Sequence, residues 1–494
     1  MKKIAIIICI LSLTIACNDD GLTRLNEDTK NPSAVPAGAL FGNAEKNLFD
    51  HLVSTNVNTN VFRLFVQHWT ETTYLDESRY DILQRNIPDR HWRVLYRDIL
   101  RDLKEAEDIT KNIITLSIEE EKVKTNKLAL IEILSIYTYG ILVDTFGDIP
   151  YTQALQVSTF PSPKYDKAID IYTDLFIRLE DALNNLDGNY NSFGKEDFVY
   201  NGNVENWRKF ANSLKLKMAI TVADVPSLSA IAQTKAEEAV AAGVFTSSDD
   251  NASIAYLSIQ PNTNPLYEDL VSSQRYDFVA ADTFVDKMNL LNDPRRPKYY
   301  TSIGGIYIGC PYAAGGDFEN FSSAGDPADD NGLKTVLLDP TLEGLILDYT
   351  EVEFYLAEAV ERGYAVGGTA DSHYENAITS SILYWGGTAT EATTYLAQPS
   401  VAYATAAGTW RQKIGEQAWI GLFNRGFEAW TSWRRLDFPI LNAPANAASA
   451  AENEVPKRYT YPVLEQTLNG SNYNAASTSI GGDKLKTKIF WDVN

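Results

Sequence analysis

The aromatic residues carry the most chemical information in this chain, which has 9 Trp, 27 Tyr and 20 Phe. A sugar ring offers a flat C–H face that stacks on an aromatic ring while polar neighbours bond its hydroxyls. Trp and Tyr, with Arg, also dominate recognition surfaces in general. The segment Gln67–Tyr80 has no lasting period and mixes these ingredients, with Trp69, Tyr74, Arg79 and Tyr80 set among Thr, Glu, Asp and Ser. A second group follows in Tyr299, Tyr300, Tyr307, Tyr312, Phe318 and Phe321. The candidate ligand contacts are therefore Trp69, Tyr74, Arg79, Tyr80, Tyr299, Tyr307, Tyr312 and Phe318. For Trp69 and Tyr80, packing in a core or wall accounts for the residue type equally well. Trp207, Trp419, Trp430 and Trp433 fall in helical stretches and are expected in the core.

Catalytic patterns are missing from the sequence: it has no HExxH, no GxSxG, no Walker-type loop and no CxxC. His51, His68, His91 and His373 are scattered without metal-ligand spacing and are expected to be surface or satisfied core residues. Asp326–Gly332 is an acidic, turn-forming loop, but it lacks the alternating ligands of an EF-hand. No metal, no cofactor and no catalytic residue is expected. A glycosidase is defined by the separation of two carboxylates in space. On the residues alone, a secreted glycan-degrading enzyme therefore stays open, as does a helical-repeat interaction scaffold without a small ligand.

Helices must position these groups. Apolar residues at Ile169, Tyr172, Leu175, Phe176, Leu179, Ala182, Leu183 and Leu186 line one helical face, and Leu100, Leu103, Ala106, Ile109 and Ile113 suggest another over Arg97–Thr115. Leu128–Phe146 is apolar nearly all round and predicts a buried helix, stopped at Ile149–Pro150. No later stretch approaches membrane-spanning length. Further helices are expected near 207–222, 231–242, 284–291, 349–362 and 372–383. Three glycines predict two shorter helices rather than one over 413–433. Ser117/Glu120, Ser372/Glu375 and Thr388/Glu391 have capping-box spacing. The alternation suggests stacked helical hairpins, although no clean repeat of about 34 residues stands out. Residues 247–341 are rich in Gly, Ser, Asn, Asp, Pro and Tyr and are expected to form an ordered irregular layer on the helices. Binding groups concentrate in such layers.

The 494 residues carry 65 acidic and 43 basic side chains, a net charge of −22. Nucleic acid, which needs a basic footprint, is excluded as a partner. Lys2 and Lys3 precede thirteen apolar residues, Ile4–Ala16, too few to span a bilayer and suited to an export signal. Leu13–Cys17 resembles a bacterial lipobox, which implies acylation of Cys17. Asn18-Asp19-Asp20 resembles the acidic surface-export tag of lipoproteins from the Bacteroides phylum. The expected organisation is a signal over residues 1–16, a lipidated N-terminus and tether over 17–33, and a single domain over 34–494.

Several segments together resemble the SusD/RagB family of nutrient-binding outer-membrane lipoproteins, in particular its second, SusD-like subgroup. They are Asn26–Pro32, Phe146–Ala154, Trp207–Leu216, Asp293–Arg295, Glu351–Ala359, Glu416–Phe423, Glu428–Pro439, Arg458–Glu465 and Phe490–Asp492. They run in family order over nearly the whole chain. The resemblance implies a mostly α-helical, tetratricopeptide-like helix-pair scaffold carrying an irregular, loop-rich ligand-binding layer. It implies a non-enzymatic protein on the outer membrane, facing the exterior. Such a protein captures an oligosaccharide or a peptide and passes it to a SusC-like TonB-dependent transporter. The matching motifs read as architectural: Phe146–Pro150 as a helix end turning through glycine, Arg434 and Arg435 as braces for acidic neighbours.

Overall fold

The computed structural model describes residues 35–326 and 334–494. The export signal, Cys17, the tether, Asn26–Pro32 and most of the acidic loop Asp326–Gly332 lie outside the described residues.

Helices dominate the described residues. The first is α1 (Ala37–Val53), followed by α2 (Ile87–Arg93), a π-helical turn over Val94–Leu100, α3 (Arg101–Lys111) and α4 (Ile118–Phe146). Next come α5 (Ala168–Asn185), α6 (Val204–Thr221), α7 (Ser229–Ala242) and α8 (Asp282–Leu290). The last group is α9 (Tyr349–Glu361), α10 (Ala370–Tyr384), α11 (Ala389–Leu396), α12 (Trp410–Gly421), α13 (Gly426–Leu436) and α14 (Gly470–Ser479). Neighbours in sequence pack as pairs: α3 on α4, α4 on α5, α6 on α7, and α9 on α10. This is the tetratricopeptide-like helix-pair scaffold.

The sequence signals explain most of these boundaries. Ser117 caps α4 by accepting from the Glu120 amide, and Thr388 and Glu391 form a full capping box on α11. At the far end of α4, Gly147 takes φ +81°, a turn that a side chain would resist. The expected break after Gly421 is present. A Cβ on Gly426 would stand 2.6 Å from the Arg63 amide, so this close approach requires glycine at the start of α13. Trp207, Trp419, Trp430 and Trp433 are all buried.

Three expectations about the helices need correction. The stretch 97–115 is not one α-helix, because a wide π turn shifts the buried stripe by one residue, from Leu95 and Ile99 to Leu100, Leu103 and Ala106. The cap of α10 is Thr369 and not Ser372, which instead occupies the third helical position and bonds back to the Thr369 amide at 2.9 Å. Finally, α4 is 29 residues and does contain a window long and apolar enough to cross a membrane by length and composition. However, 83% of that window is buried in protein, as a core helix should be.

Glu351, Glu358, Glu428, Arg434 and Arg435 of the matched motifs are buried. Lys217 on α6 bonds the Glu428 carboxylate on α13 and lies 3.1 Å from Glu351 on α9, while Arg425 bridges Asp348 and Glu351. Arg435 braces Glu358 at 2.9 Å. Arg434 does not pair with an acid: it donates to the carbonyls of Asp144 and Lys457, with its guanidinium 3.4 Å from the Trp430 ring. That ring face and those carbonyls already satisfy it.

The described residues form three two-stranded antiparallel sheets, two of which involve the irregular layer. In chain order the strands are β1 (Trp69–Glu71), β2 (Ile149–Pro150), β3 (Tyr165–Asp166), β4 (Ala252–Ile254), β5 (Phe278–Ala280) and β6 (Gly344–Leu347). β1 pairs with β5 in the register Trp69–Ala280, Thr70–Val279 and Glu71–Phe278. That pairing brings both candidate segments of the sequence, 67–80 and 299–321, onto one side of the scaffold.

Candidate functional site

The irregular layer contains a cleft of about 220 Å³. Three of its walls are aromatic. Tyr276, just before β5, and Phe318, on a 3-10 turn, stack with centroids 5.5 Å apart and planes 20° from parallel. Phe321 closes the same turn. All three rings are only partly buried, so faces remain for a ligand. Hydroxyls of Thr301, Ser302 and Ser323 and the carboxylate of Glu319 supply hydrogen-bonding groups around them.

Arg275 holds the cleft floor. Arg275 lies with its guanidinium 4.2 Å from the Phe278 ring and bonds Glu71 on β1 at 2.7 Å and Asp277 at 2.5 Å. Burial, with Glu77 close by, pushes the Glu71 carboxyl up to about 8, against the pull of Arg275. The loop after β1 is pinned to the same region: the Thr72 amide donates to the Asp277 carbonyl at 2.8 Å, and the Gly316 amide donates to the Thr72 carbonyl at 3.1 Å.

The candidate residues separate sharply against this geometry. Phe318 lines the cleft. Tyr74 is 74% exposed on the pinned loop, at φ 54°. Trp69 is 2% exposed, packed on Phe278 and Phe423. Tyr80 is fully buried with its ring edge on Phe65, and its hydroxyl accepts from Gln67 at 3.2 Å. Tyr299 is also buried, stacked 3.9 Å from Phe423 and donating to the Ile420 carbonyl. Tyr312 donates to the Leu64 carbonyl at 2.7 Å, Tyr307 lies 5.5 Å from the Arg296 guanidinium, and Arg79 is half-buried; none of these three lines the cleft. The rings of Trp69, Tyr80 and Tyr299 thus have no open face, and their role in this structure is to hold the layer on the helices.

Tyr276 escaped the sequence reading. It lies between the two aromatic groups in an Arg-Tyr-Asp-Phe run whose strand character showed only once β1 and β5 paired. The histidines hold a surprise of the same kind. His51 and His91, 40 residues apart, meet in the core with Nε2 and Nδ1 at 2.6 Å. Burial lowers both imidazoles, His51 to about 4. Among the described residues, no three His, Cys, Asp or Glu are grouped to hold a metal ion.

Solved structures resemble this one over nearly its whole length. A chitin-binding protein is 26% identical with a TM-score of 0.77, covering 93% of this chain and 100% of its own. A SusD homolog from Bacteroides uniformis is 26% identical with a TM-score of 0.75, covering 92% and 99%. A chitin-binding SusD homolog from Flavobacterium johnsoniae, 24% identical with a TM-score of 0.75 over 92% and 99%, shares the fold. No curated protein matches the chain. Residues 29–462 match the second SusD-like family, described as starch-binding and associating with the outer membrane, and the chain belongs to that family.

Proposed function

We propose that this protein is a cell-surface lipoprotein that captures an oligosaccharide in the Tyr276–Phe318–Phe321 cleft and hands it to a SusC-like TonB-dependent transporter. The observation that carries this reading is the stacked pair of partly open rings flanked by Thr and Ser hydroxyls, the pairing of apolar face and hydrogen bonds that a pyranose requires. Membership of a starch-binding family and likeness to chitin-binding proteins support a glycan over a peptide. In this reading Tyr74 extends the platform beyond the cleft, and Cys17 carries the acyl chains. The protein binds and releases its ligand without cleaving it.

The test is titration of the protein with neutral maltooligosaccharides, chitooligosaccharides and short peptides, read by calorimetry and by native mass spectrometry. A glycan bound intact, with affinity lost in Phe318→Ala, is the expected result. A bound peptide would replace the ligand class, and cleaved glycan would replace the binding role with an enzymatic one.

A further inference from the structure

Three side chains that line the cleft carry charge: Arg275, Glu319 and Asp326. Arg275 is already committed. Its Nε donates to Asp277 at 2.5 Å, and one terminal nitrogen donates to Asp277 at 2.9 Å and to Glu71 at 2.7 Å. Its guanidinium also lies over the Phe278 ring, so this cation is balanced within the floor.

Glu319 stands differently. It is the middle residue of the 3-10 turn Phe318–Asn320, next to the ring that stacks on Tyr276. Asp317 caps that turn by accepting from the Glu319 amide at 3.3 Å. The Asn320 and Phe321 amides donate to the carbonyls of Asp317 and Phe318, both at 3.1 Å. The turn is therefore fixed, while the Glu319 side chain is exposed and its carboxylate has no hydrogen bond or ion pair among the described residues. Beside Asp326, a backbone bridge pairs the lining residue Gly325 with Lys334, so charges of both signs meet there. The uncompensated charge next to the stacked rings is the Glu319 carboxylate.

The faces of aromatic rings are electron-rich, and a carboxylate beside them adds to a field of the same sign. A ligand that offers both a flat C–H face and an ammonium answers both features. We infer that the cleft selects its oligosaccharide by charge through Glu319, taking unacetylated amino sugars ahead of neutral or N-acetylated ones and disfavouring uronates. The inference rests on the reading of this cleft as a glycan site. Rim ion pairs and exposed cation–π contacts are individually modest. The preference for glucosamine over N-acetylglucosamine oligomers should therefore be roughly three- to tenfold.

Calorimetric titration with tetramers of glucose, N-acetylglucosamine, glucosamine and galacturonate tests this, at low salt and about pH 6, where the sugar amine is protonated. The glucosamine tetramer should bind tightest and the galacturonate tetramer weakest, and both differences should shrink at high salt. Glu319→Gln keeps a hydrogen-bonding side chain without the charge, and should bring the glucosamine and N-acetylglucosamine affinities to within about twofold of each other. Equal affinities in the wild-type protein would overturn the inference. So would a preference that survives Glu319→Gln, which would assign it to the field of the whole chain and its net charge of −22. Oligolysine of equal charge bound as tightly as the glucosamine tetramer would overturn it too, because charge alone would then suffice. Binding of none of the four sugars would remove the glycan reading itself, and the inference with it.

Discussion

Ser54, at the C-terminal end of α1, donates its hydroxyl to Asp269 across 215 residues of sequence at 2.8 Å, and the next amide, Thr55, donates to the same carboxylate oxygen at 2.8 Å. This double clamp ties the first helix to the turn that carries Leu270 into the cleft wall. It makes α1 a strut between the scaffold and the binding layer.

Replacing Asp269 by Ala removes two part-buried hydrogen bonds, each worth about 0.5–1.5 kcal/mol. Lower thermal stability together with weaker glycan binding is expected. Calorimetric unfolding and ligand titration on the same preparation check both, and an unchanged variant would show that the clamp holds nothing.

Trp69 and Tyr74, five residues apart, should behave oppositely. Trp69→Ala empties a site buried among Phe278 and Phe423 and should cost about 3–5 kcal/mol in urea unfolding. Tyr74→Ala removes an exposed ring and should change stability by no more than about 0.5 kcal/mol. Similar losses from both variants would contradict the burial described here.

Acid should unfold the protein partly through its buried imidazoles. Burial lowers His51 to about 4 and His68 to about 3. The unfolded chain then takes up protons below about pH 6.5 that the folded chain refuses, so stability falls as pH drops through that window. Imidazole NMR signals from both residues should stay at their neutral positions at pH 5. Titration of either near pH 6.5 would disprove the burial.

Glu71 works in the other direction. Its folded pKa, raised to about 8, means the folded chain holds a proton that the unfolded chain has released above about pH 4.5. Stability from this group is complete below that value and declines as pH rises toward 8. Glu71→Gln should flatten the decline measured by urea unfolding between pH 6 and 9. An identical slope in the variant would place the charge elsewhere.

The scaffold was legible in the sequence because helical periodicity and caps are local. Ser117, Thr388 and the glycines after Trp410 marked real boundaries. What failed was non-local. Thr369 outcompeted Ser372 as a cap because the two side chains bond each other. Tyr276 gained meaning only when β1 and β5, some 200 residues apart, paired. Trp69, Tyr80 and Tyr299 have the composition of a sugar platform, but residue type cannot tell an open ring face from one covered by Phe278, Phe65 or Phe423. Phe318, which lines the cleft, could be singled out because the stretch that holds it has no lasting period, and binding groups gather in such layers.

The most direct test of the account is calorimetric titration of maltooligosaccharide and chitooligosaccharide into the wild-type protein, Tyr276→Ala and Phe318→Ala, with folding checked by circular dichroism. Truncating one aromatic contact of a binding site costs about 1–2 kcal/mol, so each variant should bind roughly 5- to 30-fold more weakly while unfolding at the wild-type temperature. Wild-type affinity in both folded variants would contradict the assignment of the cleft as the glycan site.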